Sequence, residues 1–337
     1  MYPIIVEEFY NEPSLNMPAN KGDTIESTIE IMNTRLFKMD CYKSTDLTGI
    51  AKKCDWFLHS DQIIKIQNTS TPKTIFLSNY KGYIAFPIFM EDVLPFLTSP
   101  FILIIASEDA TFPTGCGEKR YNHFAQSQND IKILLDNQNL IKIFVENLDT
   151  LHPKLIPLPL GGLTYCDGDV YPPDMLIQGP VDFSKKNDKC FCRHYTRDGD
   201  QWEYRRLVDT YCLKEWKNFV LYPDEDLTTG EFKQKLLESR FCICVHGGGH
   251  DPSPKAWYAL LCGTIPIIEH SPLDAAYCRF PIVFVDRWTP DAITETKLSL
   301  WSEELRLHYE DPVKRQNVLN MLTIDYWWNE IMNEYVK

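Results

Sequence analysis

The chain lacks any uncharged stretch approaching the roughly 18 residues that a membrane span needs. Its opening, MYPIIVEEFYNE, is too short and too acidic for a signal peptide. It therefore reads as a soluble, cytoplasmic protein without a membrane span. Basic residues are scarce: 34 Lys and Arg against 47 Asp and Glu leave a net charge of −13. A surface of that sign repels nucleic acid and anionic membranes, so neither is an expected partner. No C-x-x-C pair occurs among the 11 cysteines, and the closest spacings, Cys190/Cys192 and Cys242/Cys244, are i, i+2. On strands such pairs point to one face, and they read as buried reduced thiols rather than as a metal site or a disulfide framework. Low-complexity tracts and internal repeats are also missing. What remains is the composition of a globular protein, 44% hydrophobic and 13% aromatic over 337 residues, a length that suits two domains of about 150 residues each.

The most informative segment is SRFCICVHGGGHDPSPKAWYALLCGTIPII, Ser239 to Ile268. Phe241 to Val245 is a short apolar run, as expected of a buried parallel strand, and Gly247, Gly248 and Gly249 follow directly. Ser253 can cap a helix whose first position is Pro254, and Gly263 closes that helix before a second β-branched strand begins at Thr264. Glycines let the backbone approach a ligand closely, while the amides and dipole at a helix start attract an anion. Lys255 adds a full positive charge at the same spot. The spacing HGGGHD is not the G-x-G-x-x-G of a dinucleotide fold, which sets aside a nicotinamide enzyme.

This segment resembles the donor-site signature of the exostosin-like glycosyltransferases, family 47. Ser239, Arg240, Phe241, Cys242, Cys244, Gly247, Gly249, Asp251, Lys255, Trp257, Ala259, Gly263, Pro266 and Ile267 fall on its positions. Val245 replaces a proline. Tyr258 stands where the family has a glutamate that contacts the nucleotide ribose, so a phenol that carries no charge near neutrality takes that place. The resemblance implies an α/β protein of GT-B architecture, in which two doubly wound domains face a central cleft. It also implies an inverting transferase, independent of metal and of any cofactor, that moves a sugar from a UDP-sugar (UDP-xylose by preference) to a hydroxyl of an oligosaccharide or glycoprotein glycan. A member without an anchor is of the kind large DNA viruses encode, which would place it in a host cytoplasm. The competing reading is a catalytically silent nucleotide- or glycan-binding relative.

The expected organisation is an acceptor-side domain over 1–170, a donor domain over 171–311, and a helix over 312–337 packing back on the first domain. In the first half, Phe101 to Ala106 is a buried strand, and Ser107-Glu108-Asp109 lies at its carboxyl end, the edge where parallel sheets bind ligands. SEDATFP resembles the family loop ending in D-x-T-V-P, which makes Asp109 the candidate general base and Glu108 its alternate. HPKLIPLPLGGL resembles another family stretch and sets His152 at the cleft rim, as an acceptor contact or a structural residue. Asp167-Gly168-Asp169 has the look of a D-x-D metal motif, but it falls in the linker and is discounted.

In the second half, Lys189, Arg193, Arg197, Arg205 and Arg206 gather in an otherwise acidic chain, as a diphosphate site requires. Arg193 and Arg197 are the favoured contacts. Arg205 and Arg206 pair equally well with Asp200, Glu203 and Asp209 on a solvated helix face. Tyr222, at the end of another strand, is a candidate face for the uracil ring. The remaining donor-site candidates are His246, the three glycines, His250, Asp251, Ser253, Lys255 and Tyr258.

Overall fold

The computed structural model describes residues 49–337 apart from 60–61, 66–68, 80–81, 107–108, 116–126 and 162–178. Glu108, the Asp167-Gly168-Asp169 run and the boundary expected near 170 lie outside the described residues. Short apolar runs make the strands. The first sheet contains β1 (Trp56–His59), β2 (Gln62–Lys65), β3 (Thr74–Ser78), β4 (Phe101–Ala106), β5 (Leu140–Val145) and β6 (Leu155–Pro157). Its order is β2-β1-β3-β4-β5-β6, parallel except where β2 folds back on β1. Every residue of β3 and β4 is buried, as continuous apolar strands covered on both faces must be.

The second sheet contains β7 (Asn187–Phe191), β8 (Val220–Leu221), β9 (Ser239–Ile243), β10 (Ile265–Glu269) and β11 (Val283–Val285), all parallel, in the order β11-β10-β9-β7-β8. The chain steps outward from β7 to β8 and then returns to lay β9 on the other side of β7. That reversal opens a crevice at the carboxyl ends of β7 and β9, the place where open α/β sheets take their ligands.

Helices α1 (Gly49–Lys53), α2 (Gly82–Ile88) and α3 (Gln128–Asp136) accompany the first sheet. Helices α4 (Glu203–Leu213), α5 (Thr229–Glu238), α6 (Pro254–Leu261) and α7 (Asp274–Tyr277) accompany the second, and α8 (Glu295–Leu305), α9 (Leu307–Glu310), α10 (Pro312–Met321) and α11 (Ile324–Val336) follow. The long helical pattern from Pro312 to Tyr335 is thus two helices. Thr323 breaks it by turning its hydroxyl to the amide of Tyr326 (3.1 Å) and capping α11. Helix α11 packs against α1, β4 and β5, and Lys53 reaches Asp325 at 2.8 Å. The eight described cysteines are free thiols, seven of them buried.

Helix α6 is the centre of the second half, with every residue from Lys255 to Leu261 buried. Ser253 caps it and Pro254 opens it, as the sequence indicates. Gly263 ends it at φ +68°, and a Cβ there would lie 2.6 Å from Val181. Two buried cations hold the far end. Arg315 donates to the carbonyl of Leu261 (2.8 Å) and Lys186 to that of Cys262 (3.2 Å), matching the negative end of the helix dipole. Burial pushes the Lys186 ammonium down to about 8.

Candidate functional site

The two sheets meet through their carboxyl edges. Asn147, just after β5, is buried and accepts the amides of His250 (3.0 Å) and Asp251 (3.1 Å) on its side-chain carbonyl. A Cβ built on Gly249 would lie 2.2 Å from that oxygen and 2.6 Å from the backbone carbonyl of Asp109. Only glycine permits this approach. The loop after β4, which carries Asp109, therefore lies directly against the glycine loop after β9. The two halves thus face each other with a crevice between them, as the motif resemblance leads one to expect.

Asp251 holds the same junction closed. Its carboxylate accepts the amides of Ser253 (2.8 Å) and Leu160 (3.1 Å) and the hydroxyl of Tyr277 (2.6 Å). Although a donor contact by sequence, in the structure it ties the glycine loop to the chain leaving β6. Ser253 is the one non-glycine residue with positive φ among those described, at +80°. Such a conformation costs of order 1–3 kcal/mol and persists where the surroundings fix it, here through Asp251 and the cap of α6.

The cations divide differently from the sequence reading. Arg205 reaches the glycine loop: its Nε donates to the carbonyl of His246 (3.1 Å) and its Nη1 to that of Tyr195 (2.9 Å). A methyl on Gly247 would stand 3.0 Å from Arg205 Nη2. Burial pulls this guanidinium down to about 10 against the opposing pull of Asp109, so the carboxylate of the first half and the guanidinium of the second act on each other across the crevice. Arg197, the favoured candidate, is exposed and lies 5.4 Å from the Trp202 ring, at the rim. Arg193 is half-buried against Asp226 and the Tyr222 hydroxyl. Tyr222 in turn donates to Asp209 (2.7 Å), so ring and guanidinium brace each other. The ammonium of Lys255 is buried beneath the loop and donates to the carbonyl of Arg193 (3.2 Å). Burial, then the nearby Arg205, hold it below its ordinary value.

Further candidates fall in different places. Tyr258 is buried within α6. His152 is exposed, its Nδ1 accepting the amide of Lys154 (3.1 Å) just before β6. Because Leu155 of β6 pairs with Ile143 in the middle of β5, His152 sits at the amino edge of the sheet, opposite the crevice rather than on its rim. The three prolines of HPKLIPLP mark an irregular connection there, but they carry no information about which edge it occupies.

A pocket of about 310 Å³ opens beside the glycine loop, lined among others by Gln201, Tyr204, His246, Gly249, His250 and Glu269. Burial pushes His246 down to about 4 and also lowers His250, so both imidazoles are neutral at pH 7. The ring of Tyr204 meets that of His246 edge-on at 5.3 Å. Gln201 donates to the carbonyl of Gly248. Glu269 ends β10 at the ligand edge of the sheet, and burial pushes its carboxyl up to about 7. Asn147 and Glu269 were missed by motif reading. The position of Glu269 at a strand end is the signal that could have found it.

Among the described residues no group of His, Cys, Asp or Glu is placed to hold a metal ion, and no helix is long and apolar enough to cross a membrane. No family model matches the chain, and no curated protein matches it, so the exostosin-like resemblance rests on the motif residues themselves. Among solved structures the chain is similar to TarM, with 9% identity and a TM-score of 0.41 over 78% of this chain and 55% of that one. It is also similar to the spinosyn rhamnosyltransferase SpnG, with 10% identity, a TM-score of 0.37, and 74% and 69% coverage. A UDP-forming α,α-trehalose-phosphate synthase from Burkholderia xenovorans follows, with 9% identity, a TM-score of 0.36, and 77% and 73% coverage. The chain spans about half the length of TarM. Likeness of this size transfers neither donor, acceptor nor mechanism.

Proposed function

We propose that the chain is a glycosyltransferase that moves a sugar from a nucleotide diphosphate donor, UDP-linked by the motif resemblance, to a hydroxyl of a glycan acceptor. One observation carries this reading. The contact of Gly249 with Asn147 and Asp109 sets a carboxylate of the first half beside the Arg205 guanidinium and the glycine amides of the second, at the switch point of the sheet. Asn147 already occupies the amides of His250 and Asp251, so the diphosphate falls to those of Gly247, Gly248 and Gly249, to Arg205, and to the dipole of α6. Lys255 adds its field from beneath, and Arg193 and Arg197 stand at the approach.

Asp109 takes the proton of the acceptor hydroxyl as its oxygen attacks the anomeric carbon, and the nucleoside diphosphate leaves from the opposite face with its charge on these donors. Direct displacement inverts the anomeric centre. The charges needed for departure are supplied by side chains and backbone, so no metal is required. UDP-xylose remains the first donor to try, and Glu108 is the alternate base. The test is a panel of UDP-sugars incubated with the protein and an oligosaccharide mixture, with release of UDP followed with time. Slow UDP release with at least one donor supports transfer. Tight UDP binding with no release from any donor supports the silent relative.

A further inference from the structure

The pocket beside the glycine loop contains a carboxylate that the transfer step leaves unused. Glu269 Oε2 is buried and has no hydrogen-bond partner among the described residues. A buried carboxylate oxygen without donors is costly, and native structures keep one only for a reason. The remaining lining is polar but uncharged where it approaches Gly249: neutral His246 and His250, Gln201, the Tyr204 ring and Ser271. Asp200 adds a second acid, and among the described residues no lysine or arginine lines the pocket. The one cation with a resolved effect on Glu269 is Arg287. A phosphate or a sugar acid would find no free countercharge here, because the third lining imidazole, His270, is engaged by Asp274 (2.6 Å). A hydroxylated ring would find carboxylate and imidazole acceptors, an amide, and an aromatic face for its C–H surface. At about 310 Å³ the space lies at the small end of ligand sites and suits one ring rather than a whole nucleotide.

We propose that this pocket receives the transferred sugar of the donor, and that Glu269 is its specificity-determining residue, accepting hydrogen bonds from hydroxyls of an uncharged sugar and turning away sugars that carry a carboxylate. This inference rests on the transferase reading. Turning the Glu269 side chain so that its carboxylate faces the pocket would let sugar hydroxyls supply the hydrogen bonds that its Oε2 lacks. The diphosphate is placed at Gly247, beside Arg205, so the two ends of the donor meet different electrostatic surroundings.

The experiment is calorimetric titration of the full chain at pH 8, where Glu269 is ionised, with UDP, UDP-xylose, UDP-glucose and UDP-glucuronate, on the wild type and on Glu269→Gln. The wild type is expected to bind at least one neutral donor about tenfold or more tighter than UDP-glucuronate. Glu269→Gln is expected to leave UDP affinity within about twofold and to narrow the gap between neutral and acidic donors to less than about threefold. Equal wild-type affinity for UDP-glucuronate and the neutral donors overturns the inference, as does an unchanged gap in Glu269→Gln. In either case bound UDP leaves the transferase reading standing. If UDP itself does not bind, that reading of the site fails and this inference fails with it. Should Glu269→Gln not fold, the wild-type ratio decides alone.

Discussion

Adding one methyl group at Gly249 tests whether the two halves meet as described. In Gly249→Ala the new carbon would stand 2.2 Å from Asn147 Oδ1, 2.5 Å from its Cγ and 2.6 Å from the Asp109 carbonyl. Two of those atoms are in a side chain that could turn away, but the third is backbone. Turning Asn147 away would break its bonds to the amides of His250 and Asp251. Each is worth about 0.5–1.5 kcal/mol, and more if the amide stays buried. Pushing the loops apart instead carries the overpacking cost of about 1–3 kcal/mol. By either route the cost is about 1–3 kcal/mol, several degrees in Tm, together with a wider crevice and weaker UDP binding. Gly230→Ala is the control: nothing lies within 4 Å of a Cβ there, at the start of α5, and it should be neutral or slightly stabilising. Thermal melts and UDP titrations of the two variants decide the matter. If Gly249→Ala melts with the wild type and binds UDP equally well, the halves do not touch at Gly249 and the placement of Asp109 fails with it.

Other outcomes follow from the same geometry. Arg205→Ala should weaken UDP by about 1.5–3 kcal/mol, the worth of a charge-assisted contact, and Arg197→Ala by clearly less, measured by titration; the reverse order would return the site to the rim. Glu269 holds its proton more tightly folded, at about 7, than unfolded, where 4.5 is ordinary. Stability contributed by the protonated form is therefore full below about pH 4.5 and lost as pH rises to 7. Discounted for the half-exposed side chain, the loss is about 1–2 kcal/mol, so Glu269→Gln should melt a few degrees above wild type at pH 8 and level with it at pH 4.5. Turnover in excess chelator should equal turnover in added manganese; activity lost to chelator and restored by metal would contradict the proposed leaving-group stabilisation.

What could be read from the sequence was what is local. β4 was legible because six consecutive apolar residues have few alternatives to a strand buried on both faces, and the ends of α6 because Ser253, Pro254 and Gly263 act on their own backbone. The site was legible only in part. Arg197 looked better placed than Arg205, yet Arg205 lies on the face of α4 that turns toward the glycine loop, a matter of helix phase against a partner 41 residues away. Asn147 gave no local signal at all, since its partners lie 103 and 104 residues further on. Asp251 was read as a ligand contact because it sits in a ligand motif, whereas its carboxylate is occupied by Leu160 and Tyr277. Contacts of this kind depend on how two sheets dock, and no periodicity within either one encodes that.

The central claim is that Asp109 removes the acceptor proton while the second half alone holds the donor. The most direct measurement is kcat of Asp109→Asn with the best donor and acceptor, taken beside its Kd for UDP. Transfer should fall by about 10² to 10⁴ with UDP affinity within about twofold of wild type, because a base acts only in the transition state. Transfer at near wild-type rate would contradict the claim. If Glu108→Gln is then the inactive variant, the two acids of the loop exchange roles, and if both variants transfer normally the base lies outside this loop.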